Sequence, residues 1–162
     1  MPTKERNTRD LVITGYAKVG ATSGWTVGGG AVDKGRLATC AASQTAATLV
    51  VPVMGLQVGD TIEGFYLQGQ IESAGNTVTL GANLRKMTVA AADMTDASVA
   101  SMTQISKTAD STVNEANSAK TGLVEVVGND ESFYVLLTAT TGASTDIDLA
   151  AVVVRIRRVY QN

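Results

Sequence analysis

Histidine is missing altogether from this chain of 162 residues, cysteine occurs once, at Cys40, and proline only twice. Without histidine there is no Ser-His-Asp or Cys-His machinery and no imidazole metal ligand. A single cysteine excludes an intrachain disulfide and a cysteine-built metal site, so Cys40 is expected as a small buried apolar side chain. Charge is scarce too, at 17% of residues against roughly a quarter in an average soluble domain. With 13 basic and 15 acidic side chains the net charge is -2, which gives no field for nucleic acid or an anionic membrane. The longest apolar run near the end, Leu149 to Val154, falls far short of the roughly 20 residues a membrane helix needs. The opening "MPTKERNTRD" is polar and charged, unlike a secretory signal, and no Asn-x-Ser/Thr acceptor occurs. A soluble protein made in the cytoplasm is expected.

Catalytic signatures fail one by one. No lysine has a serine three positions before it, and Gly30 and Gly35 stand at phosphate-loop spacing but are followed by Arg36 and Leu37 instead of Lys and Ser/Thr. Carboxylates remain: Asp146 and Asp148 would project from one face of a strand, and Asp93 and Asp96 are read in a polar loop. A two-acid hydrolase or a calcium site needs no more than such groups. Solvated loop acids are the plainer reading, and neither a cofactor nor a metal ligand set is expected. Trp25, Tyr16 and Tyr160 are the candidates for sugar stacking, each with core packing as the plainer role.

What the chain does have is Val, Thr, Ala and Gly in short runs of alternating polarity, punctuated by turn residues. At this length one core is expected, covering roughly two thirds of the unfolded surface. Residues 1–10 carry Lys4, Glu5, Arg6, Arg9 and Asp10 without an apolar pattern and read as an extended arm ahead of a domain at 11–162. "LVITGY" reads as a first strand, and "GWTVGGGAVDKG" as a loop with Trp25 tucked in. "TAATLVVPV" reads as a strand ending at Pro52. "DTIEGFYLQGQIES" and "NTVTLGANLRKM" read as a hairpin with Phe65, Leu67, Ile71, Val78, Leu80 and Leu84 on its core face and Ile62 and Tyr66 on the other. "TGLVEVV" and "ESFYVLLTATT" read as a second hairpin. The Ala-rich stretch between them suits helix or strand; a strand over Ser98 to Ser106 is the reading preferred. In "TDIDLAAVVVRIRRVYQ" both faces are apolar, with Leu149, Ala151 and Val153 opposed to Ala150, Val152 and Val154. A sandwich strand needs one buried face, so a neighbour, a loop or a second subunit must cover the other. Val152, Val154, Ile156 and Tyr160 are the expected subunit contacts. The fold expected is all-β, an antiparallel jelly-roll-like sandwich of about eight strands.

Read in order, "VPVMGLQVGDTIEGFYLQGQIESAGNTVTLGANLRK", "TDASVASMTQISKTAD" and "FYVLLTATTGASTDIDLAAVVV" resemble small β-sandwich virion proteins of tailed bacteriophages, the decoration or head-fibre class. The resemblance runs from about Thr45 to Tyr160 and lies in pattern, not in a catalytic motif, so no site residue carries over. It implies a non-enzymatic viral structural protein, a homo-oligomer and often a trimer, that decorates or cements a capsid by binding the major capsid protein at the virion surface, or forms the base of a head fibre. The arm, through Lys4, Arg6 and Arg9, is the expected capsid-docking element. The alternative is a receptor- or glycan-binding module of a phage fibre.

Overall fold

The structure, a computed structural model, describes residues 4–28 and 36–161; the Gly30 and Gly35 of the broken phosphate-loop pattern lie outside them. Eight strands have six residues or more: β1 (Lys4–Ile13), β5 (Ala47–Pro52), β6 (Thr61–Glu72), β7 (Val78–Val89), β8 (Met94–Ser101), β11 (Lys120–Val126), β12 (Glu131–Thr140) and β13 (Asp146–Gln161). Five are fragments: β2 (Lys18–Val19), β3 (Trp25–Val27), β4 (Ala38–Cys40), β9 (Ile105–Lys107) and β10 (Ser111–Val113). One helical turn, α1 (Glu115–Ser118), interrupts them.

Two antiparallel sheets result. In one, β6 and β13 are central, β11 and β10 share the outer side of β6, and β1 and β4 share the outer side of β13, with β3 beyond β4. The other runs β2-β5-β12-β7-β8, with β9 continuing beside β7. If the eight long strands are numbered in chain order, the sheets read sixth-third-eighth-first and second-seventh-fourth-fifth. That is jelly-roll order, the expected all-β sandwich, in which every connection except the one from β7 to β8 crosses between sheets.

This topology corrects both expected hairpins. β6 and β7 lie in opposite sheets, as do β11 and β12. Alternation shows only that two strands face the same core, and they can do so across it as well as side by side. The core face of β6 and β7 is as read, since Phe65, Leu67, Ile71, Val78, Leu80 and Leu84 are buried; in β12 the buried face is Phe133, Val135, Leu137 and Ala139. Ile62, read on the wetter face, is fully buried. The β6–β13 register shifts between Arg155 and Ile156, leaving Glu63 as an extra residue that reverses the alternation behind it. A second bulge, at Ala150, does the same in β13, so Leu149 joins Val152 and Val154 in the core while Ala150 is exposed. Trp25 opens strand β3 rather than lying in a loop. In the Ala-rich stretch the single strand read over Ser98 to Ser106 is two pieces, β8 and β9, with buried Met102 between them, and β10 and the turn α1 follow.

Residues 4–10 are not separate from the sandwich. They belong to β1, which pairs without a break from Lys4 opposite Gln161 to Ile13 opposite Val152. An isolated ten-residue strand leaves its whole backbone unpaired, and β13 offers a free edge of the same length. Beyond Arg157, β13 has no partner but β1 among the described residues, so the two run on as a ribbon. Arg158 anchors that ribbon: its guanidinium donates from Nε and Nη2 to the carboxylate of Asp60 and from Nη2 to the Gly55 carbonyl at 3.0 Å.

Candidate functional site

The four residues expected at a subunit interface part company. Val152, Val154 and Ile156 are fully buried in the chain's own core, so they cannot meet a partner; Tyr160, on the ribbon, is 40% exposed. The second apolar face of β13 is covered from within. Val153 is fully buried, with Val12 of β1 and Tyr66 of β6 opposite it on either side. Next to them Arg155 clamps three elements together: it donates to both oxygens of Asp10 in β1 at 2.9 and 3.1 Å, to Glu115 of α1 at 2.8 Å, and its guanidinium lies 5.9 Å from the centre of the Tyr66 ring. The hydrogen bond from Arg155 holds the Asp10 carboxyl below its usual range. Of the three basic residues assigned to docking, Lys4 and Arg6 occupy β1 opposite Gln161 and Val159, and Arg9 is exposed opposite Ile156.

The candidate stacking residues do not assemble. Trp25 is 5% exposed and donates its indole N–H to the Ala47 carbonyl at 3.1 Å. Tyr16 and Tyr160 are exposed, but Ile13 and Tyr160 are eight register positions apart along the ribbon. That is roughly 26 Å, which the three residues from Ile13 to Tyr16 cannot close.

The carboxylates do assemble. Glu72 ends β6 and Asp146 begins β13 directly opposite it, with Asp148 two residues on and on the same face. One carboxylate oxygen from each lies within 4.8 Å of the others. Asp148 is buried and well provided for: Thr39 donates to it at 2.8 Å and Arg36 lies 3.0 Å away. Asp146 is not. Its Oδ1 is buried and accepts no hydrogen bond, and burial first, then the negative charges of Glu72 and Asp148, push its pKa up. Asp110 adds a further negative charge and accepts a hydrogen bond from the Ser73 N–H at 2.9 Å. Of these acids, spacing in the sequence pointed only to Asp146 and Asp148. Glu72 and Asp110 arrive through the β6–β13 register and a loop, and no local signal marks them. The flanking depressions are lined by Gln70, Ile71, Ser111, Thr112, Gly69 and Ala150 beside the charged groups, with no aromatic ring against which a sugar could stack.

Asp93 and Asp96 stay apart from this corner. Asp96 belongs to a triad on the other sheet, accepting from Tyr134 at 2.7 Å and from Arg85 at 3.1 Å, and those two bonds hold its pKa low. A feature that sequence reading missed is the outward side of β11. Val124 and Val126 are 77% and 55% exposed on a strand whose only partner among the described residues is β6. A concavity of about 320 Å³ lies between this strand and α1, lined in part by Tyr66, Glu115, Lys120 and Arg155.

No protein-family model and no curated protein matches the sequence. Among solved structures, one described as infectious bursal disease virus Gt strain aligns over 92% of this chain and 32% of that one, at 11% identity and a TM-score of 0.36. The enzymatically active domain of bacteriophage CBA120 tailspike protein 4 aligns over 98% of this chain and 19% of that one, at 13% identity and a TM-score of 0.30. The chain thus spans about a third and about a fifth of the length of these two. Likeness at this level decides nothing about function.

Proposed function

We propose that this chain is a structural protein of a bacteriophage virion that forms a homo-oligomer and decorates or cements the capsid, acting through surfaces and not through chemistry. The observation that carries the reading is the open edge of the larger sheet at β11, where among the described residues Val126 stands exposed on a strand hydrogen-bonded along one side only, and Val124 is exposed in the bulge that interrupts the pairing with β6 between Thr121 and Glu125. Such an edge can be extended by a strand from a second copy, and exposed valines give the added contact an apolar component. The resemblance of residues 45–160 to phage decoration and head-fibre proteins supplies the virion context, a trimer and the major capsid protein as partner. Tyr160, exposed on the β1–β13 ribbon, is the remaining candidate of the original four for contact between copies. Lys4, Arg6 and Arg9 face the shell in this reading as edge-strand residues rather than as a loose arm.

Light scattering coupled to size exclusion tests the oligomer: a closed oligomer that V124K/V126K converts to monomer is expected, and a monomer at every concentration refutes the reading. Co-sedimentation with phage heads stripped of accessory proteins tests the shell contact. Equal sedimentation of the intact chain and of K4A/R6A/R9A removes the role given to those residues. The fibre-module alternative loses its central residue, since Trp25 is enclosed in the core.

A further inference from the structure

Two of the three buried side-chain polar atoms that lack any hydrogen-bond partner among the described residues fall at one corner of the sandwich: Asp146 Oδ1, and the hydroxyl of Ser73, the residue after Glu72. Buried polar atoms in folded proteins are nearly always satisfied, and an orphan calls for a proton, a water or an ion. A carboxylate oxygen can only accept, so the missing group at Asp146 is a donor or a cation.

The surroundings distinguish the two. Like charges directly opposite each other on neighbouring strands destabilise a sheet, yet Glu72 is placed opposite Asp146, with Asp148 on the same face and Asp110 near by. Arg36 answers only part of that charge, and it reaches Asp148, which Thr39 and Gln70 already serve. The bulge at Ala150 and the close approach of Gly69 to the Asp148 carbonyl hold the backbone of this part of β13 tightly against β6. Oxygens from three carboxylates lie within 4.8 Å of one another. Hard divalent cations take ligands of this kind, and calcium tolerates the irregular geometry and the water that would complete the shell on the exposed Glu72 side.

We propose that Glu72, Asp146 and Asp148 form a calcium site that pins the start of β13 to the end of β6, with Asp146 Oδ1 as its buried ligand. The site is separate from β11 and from the ribbon, and it does not depend on the oligomer proposed above.

The test uses the full chain, stripped with a chelator and dialysed, and the metals alone as probes. Calcium at a hundredfold above its dissociation constant should raise Tm by roughly 5–10 °C, and magnesium, which needs stricter octahedral geometry, should raise it less. Terbium, a luminescent stand-in for calcium, should bind at the same place. Trp25 lies two strands from Ile147, across β4, roughly 10 Å at ordinary strand spacing, so excitation of Trp25 should sensitise terbium emission, and calcium should quench it. Asp146→Asn should abolish both responses. Glu72→Gln, at an exposed strand end, weakens them and serves if Asp146→Asn does not fold. An unchanged Tm and no sensitised emission in millimolar metal would mean that Asp146 shares a proton with a neighbouring acid, and would overturn the site. Asp146→Asn or Glu72→Gln responding to calcium as the parent does would also overturn it.

Discussion

Replacing Arg158 by methionine isolates one contact whose loss the structure allows to be sized. The Arg158 and Asp60 side chains are 9% and 1% exposed, and the guanidinium meets the carboxylate with two nitrogens. Methionine keeps much of the stem but leaves Asp60 as a buried charge supported by the Gln57 N–H, at 2.8 Å, and by the charge of Arg9. Breaking a buried pair from one side costs about 3–5 kcal/mol, and in a domain of this size each kcal/mol moves Tm by roughly 2–4 °C. Arg158→Met should therefore lower Tm by about 10 °C in a circular-dichroism melt at pH 7. The pH dependence follows from Asp60. Burial pushes its pKa up, but the hydrogen bond from Arg158 and then the one from Gln57 outweigh burial, and the net shift is downward. A depressed folded pKa gives stability that is complete above the unfolded value of about 3.9 and lost as pH falls through the folded value. In the variant burial is no longer outweighed, so the Asp60 pKa rises above its ordinary value; on acidification the gap between parent and variant should begin to narrow above about pH 4 and go on narrowing until pH falls through the depressed value of the parent. Asp60→Leu/Arg158→Met, which leaves no orphan charge, should be more stable than Arg158→Met alone. A loss under about 1 kcal/mol for Arg158→Met, or a gap that does not change with pH, would refute the account.

Three other outcomes are expected. Gly69→Ala should be strongly destabilising in denaturant titrations, because a Cβ there would sit 2.2 Å from the Asp148 carbonyl oxygen in a backbone held by β13; a change of under 0.5 kcal/mol, the range of a surface substitution, would contradict the packing. Trp25→Ala should cost about 3–5 kcal/mol by chemical denaturation, while Trp25→Phe, which also leaves the Ala47 carbonyl without its donor, should fall between it and the parent. Cys40 is fully buried, and burial followed by the charge of Asp146 raises its pKa to about 11, so a disulfide exchange reagent should label it only at the rate of unfolding.

Strand identity was legible because alternation in β7 and β12 is uninterrupted, and with one face buried a single register satisfies each. The partner of each strand was not. The pattern of β6 with β7 is the same whether the two lie side by side or across the core, and only the competition for the edges of β6, taken by β13, β10 and β11, decides it. The bulges at Glu63 and Ala150 were equally silent, since each depends on a register set by a strand far away in sequence. Ile62 and Leu149 moved to the core for that reason, and Val152, Val154 and Ile156 proved to be core residues and not contacts. The charged start of the chain reads as an arm because it lacks an apolar pattern. It pairs nonetheless, because an edge strand needs only backbone complementarity and can keep charged side chains at the rim. At the acid corner, two of the acids were visible from their spacing, while Glu72 and Asp110 were brought in by tertiary register.

The unbroken pairing of β1 with β13 sets Lys4 directly across from Gln161, about 5 Å away at ordinary cross-strand spacing. Any polypeptide joined ahead of residue 4 and any joined after residue 161 would therefore leave the sandwich side by side, at the end of one ribbon. A loop of a few residues could join the two ends, so the chain could be reopened in a surface loop as a circular permutant.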